Sequence, residues 1–195
     1  MDKFEIRKKI LQRRLSLSAE EIKNKSRKIY LALIKESEYI ISRNILFYVA
    51  TRSEVQTKEI INKSIRIGKN ICVPIILSEH NDLIPSKLIN FDRELEKGKK
   101  GILEPRKEFH RLFPIKDLEL VILPGIAFDL EGNRIGRGLG YYDKFLKKVN
   151  PSTRFIALAF EMQIIDKVPI HEKDISVHKI ITEDRIITCV SRNKN

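Results

Sequence analysis

The residues of this chain best equipped for chemistry fall between positions 132 and 143, which read Gly132-Asn-Arg134-Ile-Gly136-Arg137-Gly138-Leu139-Gly140-Tyr141-Tyr142-Asp143. Four of the eight glycines lie here, beside two arginines, two tyrosines and an aspartate. Glycine at alternate positions lets backbone N–H groups crowd a ligand that a Cβ would push away. A concave run of N–H groups ending where a helix begins suits phosphate oxygens. Arg134 and Arg137 add fixed positive charge in a fork geometry that matches phosphate. Asp143 adds a hard oxygen ligand for the magnesium ion that accompanies nucleotides. The local chemistry reads as a nucleotide phosphate site. It is not one of the common phosphate loops, because there is no G-K-[ST] ending and the G-x-G spacing does not directly follow a strand. Part of the glycine content also has a plainer use, since Asp129-Leu-Glu-Gly132 has the residues of a tight turn.

A loop of this kind must be held by regular elements. Lys3 to Arg14 spaces Phe4, Ile6, Ile10 and Leu11 among polar neighbours, as in an amphipathic helix. Ser18-Ala-Glu-Glu21 is a capping-box start for a second helix running to about Ile34. Ile45 to Val49 reads as a buried strand, Thr57 as the cap of a helix to about Ile67, and Asn70 to Ile76 as the next strand. That order implies parallel strands with a right-handed crossover. Leu83 to Leu88 reads as an edge strand, followed by a polar loop with Gly98, Gly101 and Pro105. Leu118 to Leu123 is the strongest central strand, ending at Pro124-Gly125. A helix from about Tyr142 to Lys148, a strand from Phe155 to Phe160 and a short strand near Lys179 to Thr182 follow, then a frayed polar tail. No repeat or low-complexity linker divides residues 1–195, so one α/β domain is expected.

In open α/β sheets, ligands settle beyond the carboxyl ends of the strands. Ala50 to Glu54, Pro124 to Asp129 and the glycine loop all fall there. Glu54 is either a carboxylate placed for ligand N–H groups or a solvated loop acid. Tyr48 and Phe128 are read as core aromatics that could also wall a pocket.

Composition narrows the class. A hydrophobic fraction of 42% over 195 residues supports a substantial core, and no apolar run is long enough to span a bilayer. The charged amphipathic start lacks a secretory apolar region. Cys72 and Cys189 have neither paired nor metal spacing, which points to reduced thiols and a cytoplasmic location. The net charge of +12 is spread among 26 interleaved acidic residues. A solvated basic surface favouring anionic substrates is expected rather than a nucleic-acid or membrane partner. His80, His110 and His171 show no triad or metal spacing and read as exposed polar residues.

Leu123-Pro-Gly-Ile-Ala-Phe-Asp129, continuing through Gly132 to Asp143, closely resembles the signature of the 5-formyltetrahydrofolate cyclo-ligase family. Weaker elements occur in the same order along nearly the whole chain. Lys3-Phe-Glu-Ile-Arg7 resembles the family's K-x-x-x-R, Glu54-Val-Gln-Thr57 its substrate loop, and Gly101-Ile-Leu-Glu-Pro105 its G-I-x-E-P. Val168-Pro-Ile-His-Glu-Lys-Asp174 and Ile180-Ile-Thr-Glu183 resemble its carboxyl-terminal block. The resemblance implies a three-layer α/β/α sandwich with a mostly parallel sheet, grouped with ribose-phosphate isomerases and CoA transferases. It implies a monomer that uses ATP and Mg2+ to close 5-formyltetrahydrofolate to 5,10-methenyltetrahydrofolate, releasing ADP and phosphate. A formamide oxygen leaves poorly, so it would first be phosphorylated to an imidate phosphate. Phosphoryl transfer relies chiefly on positioning and charge neutralisation.

Carried over position by position, Lys3 and Arg7 would hold ATP phosphates, lying four apart on one helix face. Arg134, Gly136, Arg137, Gly138, Leu139, Gly140, Tyr141 and Tyr142 would form the ATP cradle. Val49 and Glu54 would line the pterin pocket, together with Arg137, Gly138 and Tyr141 from the loop. Arg137 and Tyr141 would be catalytic, with Tyr141 nearest the formyl group. Asp143 and Asp174 would ligate magnesium. Two positions depart from the family. Leu139 stands where relatives usually have glycine or lysine, and His178 where they often have aspartate, so a metal role at His178 is not expected. Three other readings compete. They are a phosphate-binding isomerase or transferase that needs no ATP, a basic nucleic-acid module, and an ATP-dependent ligase acting on another formylated or folate-like pterin.

Overall fold

Helix α1 (Lys3–Leu15) starts at Asp2, whose carboxylate accepts the N–H groups of Phe4 and Glu5 while Glu5 accepts from the Asp2 N–H. This reciprocal arrangement satisfies donors that a helix start otherwise leaves open. In the computed structural model of the chain, residues 2–77, 82–98, 102–172 and 174–189 are described. His80, Lys99, Lys100, Gly101 and the tail from 190 lie outside them. The expected capping box opens α2 (Ala19–Leu33), with Ser18 Oγ accepting from Glu21 N and Glu21 accepting from Ser18 N.

The remaining elements are α3 (Ser37–Ile41), β1 (Asn44–Leu46), α4 (Lys58–Arg66), β2 (Asn70–Leu77), β3 (Asp82–Leu88), α5 (Phe91–Glu94), β4 (Leu95–Lys97) and β5 (Leu103–Pro105). They continue with β6 (Leu120–Leu123), β7 (Ala127–Phe128), β8 (Arg134–Ile135), α6 (Tyr141–Leu146), β9 (Arg154–Leu158), β10 (Lys179–Ile181) and β11 (Ile186–Thr188). Seven strands form one sheet in the order β11-β10-β9-β6-β1-β2-β3. Its five inner strands run parallel, while β3 and β11 pair antiparallel at the edges. The central strand β6 is buried along its whole length, as expected for a strand covered on both faces.

Alternation along the strands builds three layers. Ile45, Ile71, Leu120, Ile122 and Ile156 pack with Ile29 and Leu33 of α2 and Ile60 and Ile61 of α4. Their neighbours Leu46, Cys72, Val121, Leu123 and Ala157 face the opposite side, with Phe145 and Leu146 of α6. Burial pushes the Cys72 thiol up to about 12, consistent with an inert core cysteine. No described helix is long and apolar enough to cross a membrane.

Several expectations need correction. Thr57 precedes α4 but does not cap it; its hydroxyl donates to Tyr48 O and accepts from Ala50 N, tying down the loop after β1. The supposed polar loop after β3 contains α5 and the β4–β5 hairpin. The chain beyond Thr182 is not all frayed, because β11 closes the sheet edge. β1 pairs only over three residues, although Phe47 N still reaches Cys72 O at 2.9 Å.

Candidate active site

Lys3, Arg7 and Arg14 are spaced by four and seven residues, which places them on one stripe of α1. Another face of the helix buries Ile6 and Ile10 against Ile126, Ala127, Ile135 and Val168. The helix is thereby fixed on the β7–β8 hairpin, the same hairpin from which the glycine loop departs. Arg7 Nε donates to Gly136 O at 2.9 Å, so the basic stripe meets the loop directly.

The glycines serve two purposes. Gly132 has φ +84°, and a Cβ there would lie 2.3 Å from Val177 O, so that glycine is set by the turn and by the chain crossing over it. Gly138 (φ +97°) and Gly140 (φ +67°) need glycine for their dihedrals instead, in surroundings open enough to admit a ligand. Gly140 then leads into α6.

Around this loop, three carboxylates and three cations are paired. Arg137 Nη2 donates to Glu54 Oε1 at 2.9 Å and to Thr51 Oγ1 at 3.2 Å. Arg134 Nη2 donates to Asp143 Oδ1 at 2.7 Å, and Lys3 Nζ to Asp174 Oδ2 at 2.8 Å. Arg7 has no carboxylate partner among the described residues. Ile175 N also donates to Asp143 Oδ1, which brings the segment carrying Asp174 against Asp143. The structure thus gathers Lys3, Arg7, Arg134, Arg137, Glu54, Asp143 and Asp174 from sites far apart in sequence.

Glu54 is only 7% exposed, so it is not the solvated loop acid of one reading. Burial pushes its carboxyl up, but the Arg137 charge, the Thr51 N–H and Arg14 outweigh that and hold it below the usual carboxylate range. Asp174 behaves likewise. Burial raises it, while Lys3 and the His171 N–H bring it below normal.

The aromatic residues divide. Tyr142 packs against both core layers and lies under the Arg134 guanidinium, 5.8 Å from its ring centre. Burial, then the Glu54 charge, raises its phenol. Tyr142 therefore supports Arg134 from below. Tyr141, its neighbour, is half-buried at the first position of α6. Tyr48, Val49 and Phe128 are core residues, with the Tyr48 hydroxyl donating to Val55 O. A cleft of about 650 Å3 beyond the Thr51–Ser53 segment shares Arg14 and Thr51 with this cluster but reaches no glycine-loop residue.

For a divalent cation the donor set is two hard carboxylates, Asp143 and Asp174, on adjoining segments. No cluster of three or more His, Cys, Asp or Glu suited to a metal occurs among the described residues. Two carboxylates are a donor set that magnesium can use, because it completes its shell with phosphate oxygens and water.

The sequence profile of the 5-formyltetrahydrofolate cyclo-ligase family matches residues 1–183. The chain belongs to that family. It is 33% identical over 189 residues to a mouse 5-formyltetrahydrofolate cyclo-ligase, covering 92% of each chain. It is 25% identical over 182 residues to the Escherichia coli K12 enzyme of the same name, covering 91% of this chain and 98% of that one. Among solved structures, the Aquifex aeolicus 5,10-methenyltetrahydrofolate synthetase superimposes with a TM-score of 0.84 at 30% identity, over 100% of this chain and 95% of that one. The Mycoplasma pneumoniae synthetase shares the fold, with a TM-score of 0.76 at 22% identity over 94% and 99%.

Within this cyclo-ligase fold the two departures are explicit. Leu139 is 48% exposed and lends the loop no charge. His178 accepts from Phe155 N through Nδ1 and lies against the Phe155 ring, serving the start of the β9–β10 pairing. Burial, then Arg154, lowers its imidazole. Sequence reasoning missed Arg14, which sits 3.9 Å from Glu54 Oε1, and Thr51, which accepts from Arg137. The spacing of Arg14 from Lys3 and Arg7 was the available signal.

Proposed function

We propose that this protein closes 5-formyltetrahydrofolate to 5,10-methenyltetrahydrofolate, converting ATP to ADP and phosphate. The observation supporting this most is the set of three internal ion pairs around the glycine loop, Lys3–Asp174, Arg134–Asp143 and Arg137–Glu54. Each joins a cation suited to phosphate with a carboxylate suited to a different ligand. Polyphosphate binding then becomes an exchange of anions in which the carboxylates are released together with the cations that held them.

In this reading, Lys3, Arg7, Arg134 and the backbone of Gly136 to Gly140 take the phosphates. Asp143 and Asp174 would hold magnesium, which supplies charge neutralisation between phosphate groups. Glu54, released by Arg137, accepts pterin N–H groups, and Val49 backs that wall. The formyl oxygen attacks the γ-phosphorus while the bond to the ADP oxygen breaks. Arg137 neutralises the charge that moves through the transferring group, an electrostatic role that needs no protein nucleophile. N10 then adds to the activated carbon beside Tyr141, the carbon–oxygen bond breaks, and phosphate leaves as the N10 proton is lost.

Purified protein, 5-formyltetrahydrofolate, magnesium and ATP should produce the near-ultraviolet band of the methenyl product, and only when ATP is present. Arg137→Ala should reduce its rate by roughly 10²–10³-fold, the usual loss for one transition-state charge donor. Bound ATP without the band would move the substrate to another formylated pterin. Absence of both would refute the reading.

A further inference from the structure

We propose that Arg14 is a positioning residue for Glu54, holding that carboxylate from helix α1 when Arg137 leaves it for a phosphate. The inference rests on the cyclo-ligase reading and assigns a residue which that reading leaves without a task.

Arg14 is 2% exposed, far more buried than a surface helix cation. Its Nη1 donates to Gly125 O at 3.2 Å and its Nη2 to Ser53 Oγ at 3.3 Å. Its Nε has no partner among the described residues. A buried guanidinium with incomplete bonding is costly, and the one carboxylate within 4 Å among the described residues is Glu54, at 3.9 Å. One of the anchors of Arg14, Gly125, is itself fixed. The Gly125 carbonyl also accepts from Gln163 Nε2, and the Phe128 ring fills the space beside the Gly125 Cα. The ring atom nearest a Cβ there would be only 2.2 Å away.

Arg137 is the contrasting partner. Its side chain is 47% exposed, against 3% for Arg14, and it reaches Glu54 from the loop bearing the positive-φ glycines. One cation is thus free to change partner and the other is not. Without Arg137, Glu54 would sit in a buried position near Tyr48 and Tyr142, with the Thr51 N–H and Arg14 as its remaining favourable contacts. A buried carboxylate in that setting drifts towards its neutral form, which accepts pterin N–H bonds poorly. The Arg14 charge opposes that drift.

The test is steady-state kinetics across pH on the full chain, with 5-formyltetrahydrofolate, ATP and magnesium. The variants are Arg14→Gln, Arg14→Lys, Glu54→Gln and the double Arg14→Gln/Glu54→Gln. Arg14→Gln is expected to raise the KM for the folate about tenfold or more, with the KM for ATP little changed. It should also move the acid limb of kcat/KM to higher pH. Arg14→Lys should return that limb towards the wild-type position. In the Glu54→Gln background, Arg14→Gln should add no further loss, because its effect runs through the missing carboxylate. An unmoved acid limb, or losses that add in the double variant, would reduce Arg14 to a structural staple and overturn the inference alone. Should Arg14→Gln not fold, Arg14→Met takes its place: a raised folate KM with an unchanged ATP KM supports the proposal, and both rising together or neither rising overturns it. A wild-type chain that forms no methenyl product removes the cyclo-ligase reading and this inference together.

Discussion

Lys3 Nζ lies 2.8 Å from Asp174 Oδ2, so the first turn of the first helix is closed by a carboxylate 171 residues away in sequence. The same oxygen accepts the His171 N–H, which holds the acid in place even if the lysine moves. In the proposed function, Lys3 meets phosphate only when Asp174 finds another cation. The two groups are therefore coupled through ligand binding more than through stability.

Replacing Lys3 by methionine should raise the KM for ATP about tenfold, as expected for losing one charge-assisted contact to phosphate. Both side chains of the pair are partly exposed, so its loss should cost less than about 1 kcal/mol. A thermal melt beside ATP kinetics checks both halves. A large drop in melting temperature with unchanged ATP affinity would give the pair a structural role instead.

Leu139→Lys should strengthen ATP binding several-fold. The side chain is 48% exposed, so a lysine adds a cation beside the loop without burying charge. Isothermal titration with a non-hydrolysable ATP analogue reads this directly. Unchanged affinity would mean that position 139 points away from the nucleotide.

Two glycine replacements should separate packing from backbone strain. Gly125→Ala drives a methyl into the buried Phe128 ring and should cost about 1–3 kcal/mol or more, since that core has no slack. Gly140→Ala meets open space and pays only for φ +67°, about 1–2 kcal/mol. Urea denaturation ranks them. Activity should fall further in Gly140→Ala than its stability loss explains, because the loop itself is altered.

Acid should destabilise the protein in two stages. His178 has a folded pKa below its unfolded value, so it contributes stability above about pH 6.5 that is lost as pH falls towards the folded value. Glu54, Glu94 and Asp174 are likewise lowered, each against the upward push of burial, with Glu94 held by a forked pair of bonds from Arg111. Their contribution is complete above about pH 5 and disappears as pH drops through their folded values. Urea midpoints should decline gently below about 6.5 and steeply below about 4. The gentle part should vanish in His178→Gln.

What could be read in the one-dimensional chain was whatever is local. The capping box of α2 and the apolar run of β6 depend on neighbours a few residues apart, and both formed where expected. The helices α3 and α5, at five and four residues, are too short to show a period. Thr57 has the composition of a helix cap, but tertiary contacts with Tyr48 and Ala50 took its hydroxyl. The site residues were legible by type, and only the fold reveals that they neutralise one another. No spacing rule joins Lys3 to Asp174 or Arg137 to Glu54, and nothing in composition separates Arg14 from the other arginines of its helix.

The pairing around the glycine loop also changes the meaning of the +12 net charge. Because most of the site's cations are already matched by its own acids, the excess positive charge belongs mainly to the rest of the surface. Attraction and selection are thus carried out by different parts of the molecule. The diffuse surface charge gathers anions of every kind towards the protein, with a reach that shortens as salt rises. In the proposed function, the matched pairs favour a molecule able to offer each partner a replacement over a single anion such as sulfate drawn in by the surface.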